Sequence, residues 1–501
     1  MDLGLQYEQL KCYSCVLDTV VRREETQESI VSDSMPDIGT VVTVSATPFL
    51  HSCRTGEGSV TCEGDVVASV LYVAEEAGAV YTIQVRIPFR CTAESGALTE
   101  RCRLNVLPRL LGADVKVMNP RKILVQAELA VRFLAFSEGE SRYTIGVEGG
   151  ETPIQTKMER VSFQYISQVA EKTFPFEENV SLSSGHRKLE RLLSCDLTPY
   201  CNESKIVGSK VVFKGGVKAR VRALDDENEL ICEEYDLPVS QVLDAGDSGE
   251  TALSVVHLSA TDLQTEQSGD NEIFLRMELY ACAVVVDRKE TSVLCDAYST
   301  LYPCQCGEER RERFQIVEQN TLVHPFRQAM ELDLPTAEVL DQMVTLVEVA
   351  SAAGGAGSRC RLKVSVCLRE RDGRLSKVDQ NCYVDLPLPE VQGNRLLLEV
   401  KLLDAACISA AGGIELRGSF LIQYALVAAT EFHYVSTLVL DESEAEPGAK
   451  PSAVLRMLRE GETLWDLGKE YYATVEDILA VNQISEESAA GGRFLLIPRN
   501  R

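Results

Sequence analysis

The chain has 501 residues, 45% hydrophobic and 25% charged, enough for three or four domains that each bury a core. Its net charge of −26 argues against nucleic acid or anionic lipid as a partner, because phosphate binding needs clustered Lys and Arg. It favours solubility or a basic partner surface.

The N-terminus, MDLGLQYEQLKCYSC, has no basic start followed by an apolar run, so no secretory signal is expected there. No stretch approaches the roughly 18 uninterrupted apolar residues of a membrane span. The most apolar segment, Phe420–Thr430, is broken by Gln423. Membrane insertion is therefore not expected. The 17 cysteines read as reduced thiols, several on buried strand faces. Cys12-x-x-Cys15 and Cys304-x-Cys306 have the spacing of zinc half-sites. They lie far apart, however, and the five His fall near neither, so no metal and no cofactor are expected.

Self-similarity organises the first 440 residues. Ile38, Val41 and Val42 follow Met35-Pro36-Asp37 with helical spacing. A shift of 151 residues carries them onto Leu189, Leu192 and Leu193. A shift of 299 carries Met35-Pro36 onto Leu334-Pro335 and Val41 onto Leu340. Each group predicts a short helix. The strand that follows also recurs, as Val66-Ala68-Val70-Tyr72, Val217-Ala219-Val221-Ala223 and Leu362-Val364-Val366-Leu368. Pro88, Pro238 and Pro387 are each expected to close the next strand. A long alternating strand ends each copy, through Val125–Phe133, Leu275–Ala283 and Leu416–Tyr424. Loops at Glu75–Gly78, Asp225–Asn228 and Arg371–Arg374 read as hairpin turns. The expected fold is mainly β: three β-sandwich-like modules, each with one short helix. No copy carries a nucleophile elbow, a metalloprotease motif or a phosphate-cradling loop, so no catalytic residues are expected. His186-Arg187-Lys188 with Arg191 reads as a solvated helix face or a partner contact.

These modules resemble the SPOCS domain of spore-coat and cortex-associated proteins, through SDSMPDIGTVV, SKVVFKGGVKARVRAL and the alternating end strands. The expected boundaries are residues 1–168, 169–318 and 319–440.

The linker 441–451, acidic and with Pro447, Gly448 and Pro451, marks a boundary before a last domain at 452–501. Val454–Leu458 reads as a strand and Glu460-Gly461-Glu462 as a turn. Thr463 can cap a helix with Asp466 three positions on, and Thr474 a second with Asp477. Phe494–Ile497 closes a β-α-α-β pattern that Pro498 ends. The segment resembles the LysM domain through Gly461-Glu462-Thr463-Leu464-Trp465, Thr474–Ile478, Asn482 and Gly492–Pro498. It departs from that family at Glu462, where Asp is usual, and in the small-residue loop Ser488–Gly492. The resemblance implies a shallow groove for N-acetylglucosamine polymers, bordered here by Gly461, Glu462, Thr463, Leu464 and Trp465 and by Asn482, Gln483 and Ile484. Thr463 and Asn482 have alternative roles as helix-end residues. Trp465 has one as core packing beside Tyr471 or Tyr472.

SPOCS-like modules followed by a terminal LysM resemble spore morphogenetic proteins of the SipL type. That resemblance implies a non-enzymatic scaffold in the mother-cell cytoplasm at the forespore surface. LysM would dock onto the ATPase of the coat basement layer, and the modules would recruit other coat proteins. The alternative is a peptidoglycan- or cortex-binding protein whose LysM holds a chitin-like glycan.

Overall fold

Strict alternation of apolar and polar residues makes strands whose inward side chains meet in a common core. The computed structural model describes residues 3–75, 79–148, 153–183, 188–249, 251–331, 338–351, 357–370, 373, 375–391, 393–410, 412–441, 452–459, 461–485 and 493–498. Within them the protein is mainly β, with 20 strands and two short helices.

The first six strands are β1 (Leu5–Ile30), β2 (Ile38–Gly56), β3 (Ser59–Ala74), β4 (Val80–Glu94), β5 (Arg103–Asn119) and β6 (Lys122–Val147). The next six are β7 (Ile154–Ser181), β8 (Leu189–Val207), β9 (Lys210–Asp225), β10 (Leu230–Asp244), β11 (Leu253–Gln267) and β12 (Glu272–Ser299). A third set comprises β13 (Cys304–Glu331), β14 (Glu338–Ser351), β15 (Ser358–Arg369), β16 (Leu375–Leu386), β17 (Arg395–Ala410) and β18 (Gly413–Leu440). Each set has one topology. Its first strand pairs antiparallel with its sixth, and the sixth with the fifth. The second, third and fourth strands form a separate antiparallel sheet. The two sheets share a core. In the first unit Val66, Ala68, Val70 and Tyr72 of β3 join Val125, Ala127, Leu129 and Val131 of β6, all fully buried. The alternating runs through Val217–Ala223 and Leu275–Ala283, and through Leu362–Leu368 and Leu416–Tyr424, do the same in the other two units.

The short helix expected in each unit is absent where the chain is described. Ile38–Val42 and Leu189–Leu193 begin strands β2 and β8, and Leu340 lies in β14; Leu334 and Pro335 lie outside the described residues. The helix-like spacing comes from β-bulges. The register slips between Ile38 and Thr40 and again between Val41 and Thr43, so Ile38, Val41 and Val44 oppose Ala74, Tyr72 and Val70. Two slips likewise set Leu189, Leu192 and Cys195 opposite Asp225, Ala223 and Val221. One extra residue per bulge turns a period of two into an apparent period of three.

Two of the three prolines also sit differently from expectation. Pro88 and Pro238 are inside β4 and β10, opposite Asp65 and Gly216, and only Pro387 follows a strand end. Both strands are edge strands, where a missing N–H on the unpaired side costs no ladder bond. Of the basic cluster, His186 and Arg187 lie outside the described residues. Arg191 is on a strand rather than a helix. It donates to Val80 O of the first unit at 2.8 Å and covers the Tyr81 ring at 4.8 Å.

The units meet at several points. β7 touches β1 at Tyr13–Ile166 and β13 at Phe314–Gln164. Beyond those crossings the long strands share an aromatic cluster, in which Phe163 meets Tyr143 edge-on and stacks on Phe432, both with centroids 6.0 Å apart. The extra residues of three bulges, Val42, Leu193 and Leu340, gather with Leu71, Leu224 and Cys367 in one apolar cluster. Leu71, Arg222 and Cys367 are equivalent positions, opposite Thr43, Ser194 and Asp341. Arg222 is the largest fully buried side chain of the described residues. Its Nε donates to Asp341 Oδ2 of the third unit at 2.8 Å, its Nη1 pairs with Asp196, and its Nη2 donates to Gln342 O at 3.4 Å. Burial opposes its charge, but the two carboxylates outweigh that and hold its pKa above the usual value.

Removing one member of a buried ion pair strands the other charge. Asp341→Ala is therefore expected to destabilise the protein by about 3 kcal/mol, at the low end for such changes because Asp196 still faces Arg222. Arg222→Leu combined with Asp341→Thr places the first unit's residue types at these positions and should recover most of the loss. Urea denaturation of the full chain measures both.

Candidate functional site

The last described segment folds as β19 (Ala453–Met457), α1 (Leu464–Tyr471), α2 (Val475–Val481) and β20 (Phe494–Pro498), with β19 and β20 antiparallel. Local chemistry sets both helix starts. Thr463 and Asp466 form a reciprocal capping box, and Thr474 Oγ1 accepts from Asp477 N at 3.0 Å. Tyr472 ends α1 in the left-handed conformation at φ 59°, its N–H returning to Gly468 O. Leu464, Leu467, Ala473, Ile478, Leu495 and Ile497 make the core.

The eight groove residues expected from the sequence divide by role. Gly461 takes φ 84°, the left-handed backbone that glycine favours. Glu462 accepts from Arg456 Nη2 at 2.7 Å and from Arg459 N at 2.9 Å, tying the turn to β19. Thr463 caps α1, and Leu464 is buried in the core. Asn482 acts as a clamp. Its Nδ2 donates to Ile478 O and Leu496 O, both at 2.7 Å, and its Oδ1 accepts from Leu496 N at 2.8 Å. Gln483 has φ 56°, and Ile484 packs partly buried against the core while its N–H donates to Leu479 O.

Trp465 turns toward the second unit. Its Nε1 donates to Asp296 Oδ2 at 2.7 Å, and Lys469 Nζ donates to Asp296 Oδ1 at 2.6 Å. Tyr298 meets the indole edge-on, centroids 4.7 Å apart, and its hydroxyl donates to Ala473 O at 2.7 Å. Gly468 lies against Tyr298, where a β-carbon would collide with the phenol oxygen. Burial works to raise the Asp296 pKa, but Lys469 and Trp465 outweigh it and the carboxyl stays below its usual range. Sequence reading missed Asp296 and Tyr298. They sit on a strand far from α1 in the chain, and no local pattern marks them.

Other polar clusters bind the units together. His257 lies between units: Asn105 Nδ2 donates to its Nδ1 at 2.8 Å, and its Nε2 faces Glu399 Oε2 at 2.6 Å. Both ring nitrogens of His257 are thus engaged across unit boundaries. Burial works against the charge of Glu399, yet His257, Lys401 and Arg132 hold its pKa down to about 2. Near this point the three units line a half-open cleft of about 1000 Å³. Among its charged walls Arg132 pairs with Asp18 at 2.9 Å and Arg220 with Glu234 at 3.5 Å. Cys12 and Cys15 lie on β1, and Cys304 and Cys306 on β13; all four are free thiols. Among the described residues, no three His, Cys, Asp or Glu side chains are gathered as a metal-ligand set. Nor is any helix there long and apolar enough to cross a membrane.

Residues 37–118 match the family model described as SipL, SPOCS domain. The first β unit thus carries a SPOCS domain, and the match runs from the start of β2 almost to the end of β5. That assignment suggests a sporulation-related role. No curated protein and no solved structure matches the chain.

The Asn482 clamp joins the end of α2 to β20 through three hydrogen bonds. Asn482→Ala is expected to lower the stability of the terminal segment by about 1–3 kcal/mol. Hydrogen exchange at Leu496 N, accelerated well above that of the β-unit cores, checks this.

Proposed function

We propose that this chain is a non-enzymatic scaffold of spore-envelope assembly, working in the mother-cell cytoplasm at the forespore surface. Its terminal domain is read as a LysM domain that docks onto the ATPase of the coat basement layer. The three β units recruit or link further coat proteins. The observation that carries the reading is the SPOCS match at residues 37–118, in the first of three units that share one topology. The LysM-like residues Gly461–Trp465 and Thr474–Ile478 at the other end of the chain complete the layout.

A protein partner, rather than a glycan, is supported by the outer face of the two-stranded β19–β20 sheet. Leu455 pairs with Leu496 and Met457 with Phe494 across the two strands. These side chains are 65%, 39%, 48% and 68% exposed, on the face opposite the core residues Leu495 and Ile497. An apolar sheet face of this kind buries well against another protein. A sugar polymer instead needs a groove with aligned donors, and Leu464 and Trp465 are committed elsewhere.

The full chain should recover the coat ATPase from sporulating cells, and a chain lacking residues 452–501 should not. Phe494→Ser should reduce recovery at least ten-fold, about 1.4 kcal/mol, with the fold verified by circular dichroism. Chitin oligomers titrated into the full chain should bind no tighter than millimolar, about −4 kcal/mol. Micromolar sugar binding with no partner recovered would favour the cortex-binding alternative.

The non-enzymatic reading has its own check. Purified protein should hold no stoichiometric zinc and release no product from peptidoglycan. Tightly bound zinc that is lost with Cys304→Ser and Cys306→Ser would overturn it.

A further inference from the structure

We infer that the Asp296–Tyr298 end of β12 is a latch for the chain's own terminal domain, closing Trp465 to outside ligands until the domain is released. This inference stands on intrachain contacts and does not depend on which partner the protein binds.

The two faces are complementary residue by residue. Trp465 and Lys469 are four positions apart on α1, so they share one side of the helix. Asp296 and Tyr298 are two apart on β12, so they share one face of the strand. The two oxygens of one carboxylate take one donor each, the indole N–H at 2.7 Å and the ammonium at 2.6 Å. Tyr298 fills the space beside the indole and is itself only 2% exposed. Gly468, between the two donors, lets the helix come close enough for this.

Among the described residues the contact is made by three hydrogen bonds and one aromatic pair. Between separate molecules such a contact would not hold. Within one chain it can, because the domain is covalently joined to the third unit, and such a connection supplies an effective concentration on the order of millimolar. A tethered weak contact opens and closes. Any ligand that needs the indole N–H of Trp465 must compete with Asp296, and one that needs the surface beside it must displace Tyr298. The apolar face of the β19–β20 sheet stays exposed in the latched state.

Trp465 is the only tryptophan, so its fluorescence reports the latch directly in the full-length protein. The native chain should show blue-shifted emission and weak quenching by acrylamide. Asp296→Lys repels Lys469 and removes the acceptor, and should red-shift the emission and raise the quenching constant several-fold. Lys469→Glu should do the same more mildly. Combining the two restores an opposite-charge pair and should return quenching part of the way to the native value. Circular dichroism and the thermal transition of the β units should be unchanged in all three. The latch is overturned if native Trp465 is quenched as readily as in Asp296→Lys. It is also overturned if the double variant is as open as the single ones.

Discussion

A guanidinium and a carboxylate, both out of water where three β units converge, set the terms for the assembly. Arg222 is 1% exposed and the Asp341 side chain 0%. Neither charge is stable there alone, because desolvation of each costs several kcal/mol. The second and third units must therefore approach until the guanidinium reaches the carboxylate. The equivalent residue of the first unit is Leu71, so one site of the repeat is apolar, one cationic and one carries a thiol. An apolar cluster alone would tolerate several mutual arrangements of three similar units. A buried directional pair tolerates far fewer, since any slip leaves a charge unmatched.

The same logic runs through the other junctions. His257 of the second unit is held by Asn105 of the first and Glu399 of the third. Arg191 reaches the first unit, and Lys401 of the third donates to Pro199 O of the second at 2.8 Å. At one such place the copies carry different residues, Leu71, Arg222 and Cys367. The inward faces of the central strands remain interchangeable Val, Ala and Leu, because those positions only have to fill volume. The terminal domain is attached by different means, through one carboxylate shared by an indole and an ammonium.

Much of this was legible beforehand, for physical reasons. Inward side chains at every second residue leave a visible period, so the central and closing strands of each unit stand out in the sequence. Helix caps are local, and Thr463 and Thr474 with their acidic partners three residues on mark both helices of the terminal segment. The β-bulges misled for a reason equally local: a bulge lengthens the spacing between inward residues, and three is nearer a helical period than a strand period. Pro88 and Pro238 misled because only the sheet order reveals that β4 and β10 are edges.

The sequence by itself determined the strand-rich composition, the repeat, the two capped helices and the residue types of the terminal segment. All of these depend on neighbours within a few positions or on periodicity. Tertiary structure alone decided that Arg222 meets Asp341 and that His257 bridges three units. It also decided that Trp465 faces Asp296 and Tyr298. Those partners are separated by more than a hundred residues, and a side chain's chemistry states what it can bind without stating which distant segment the fold will bring to it.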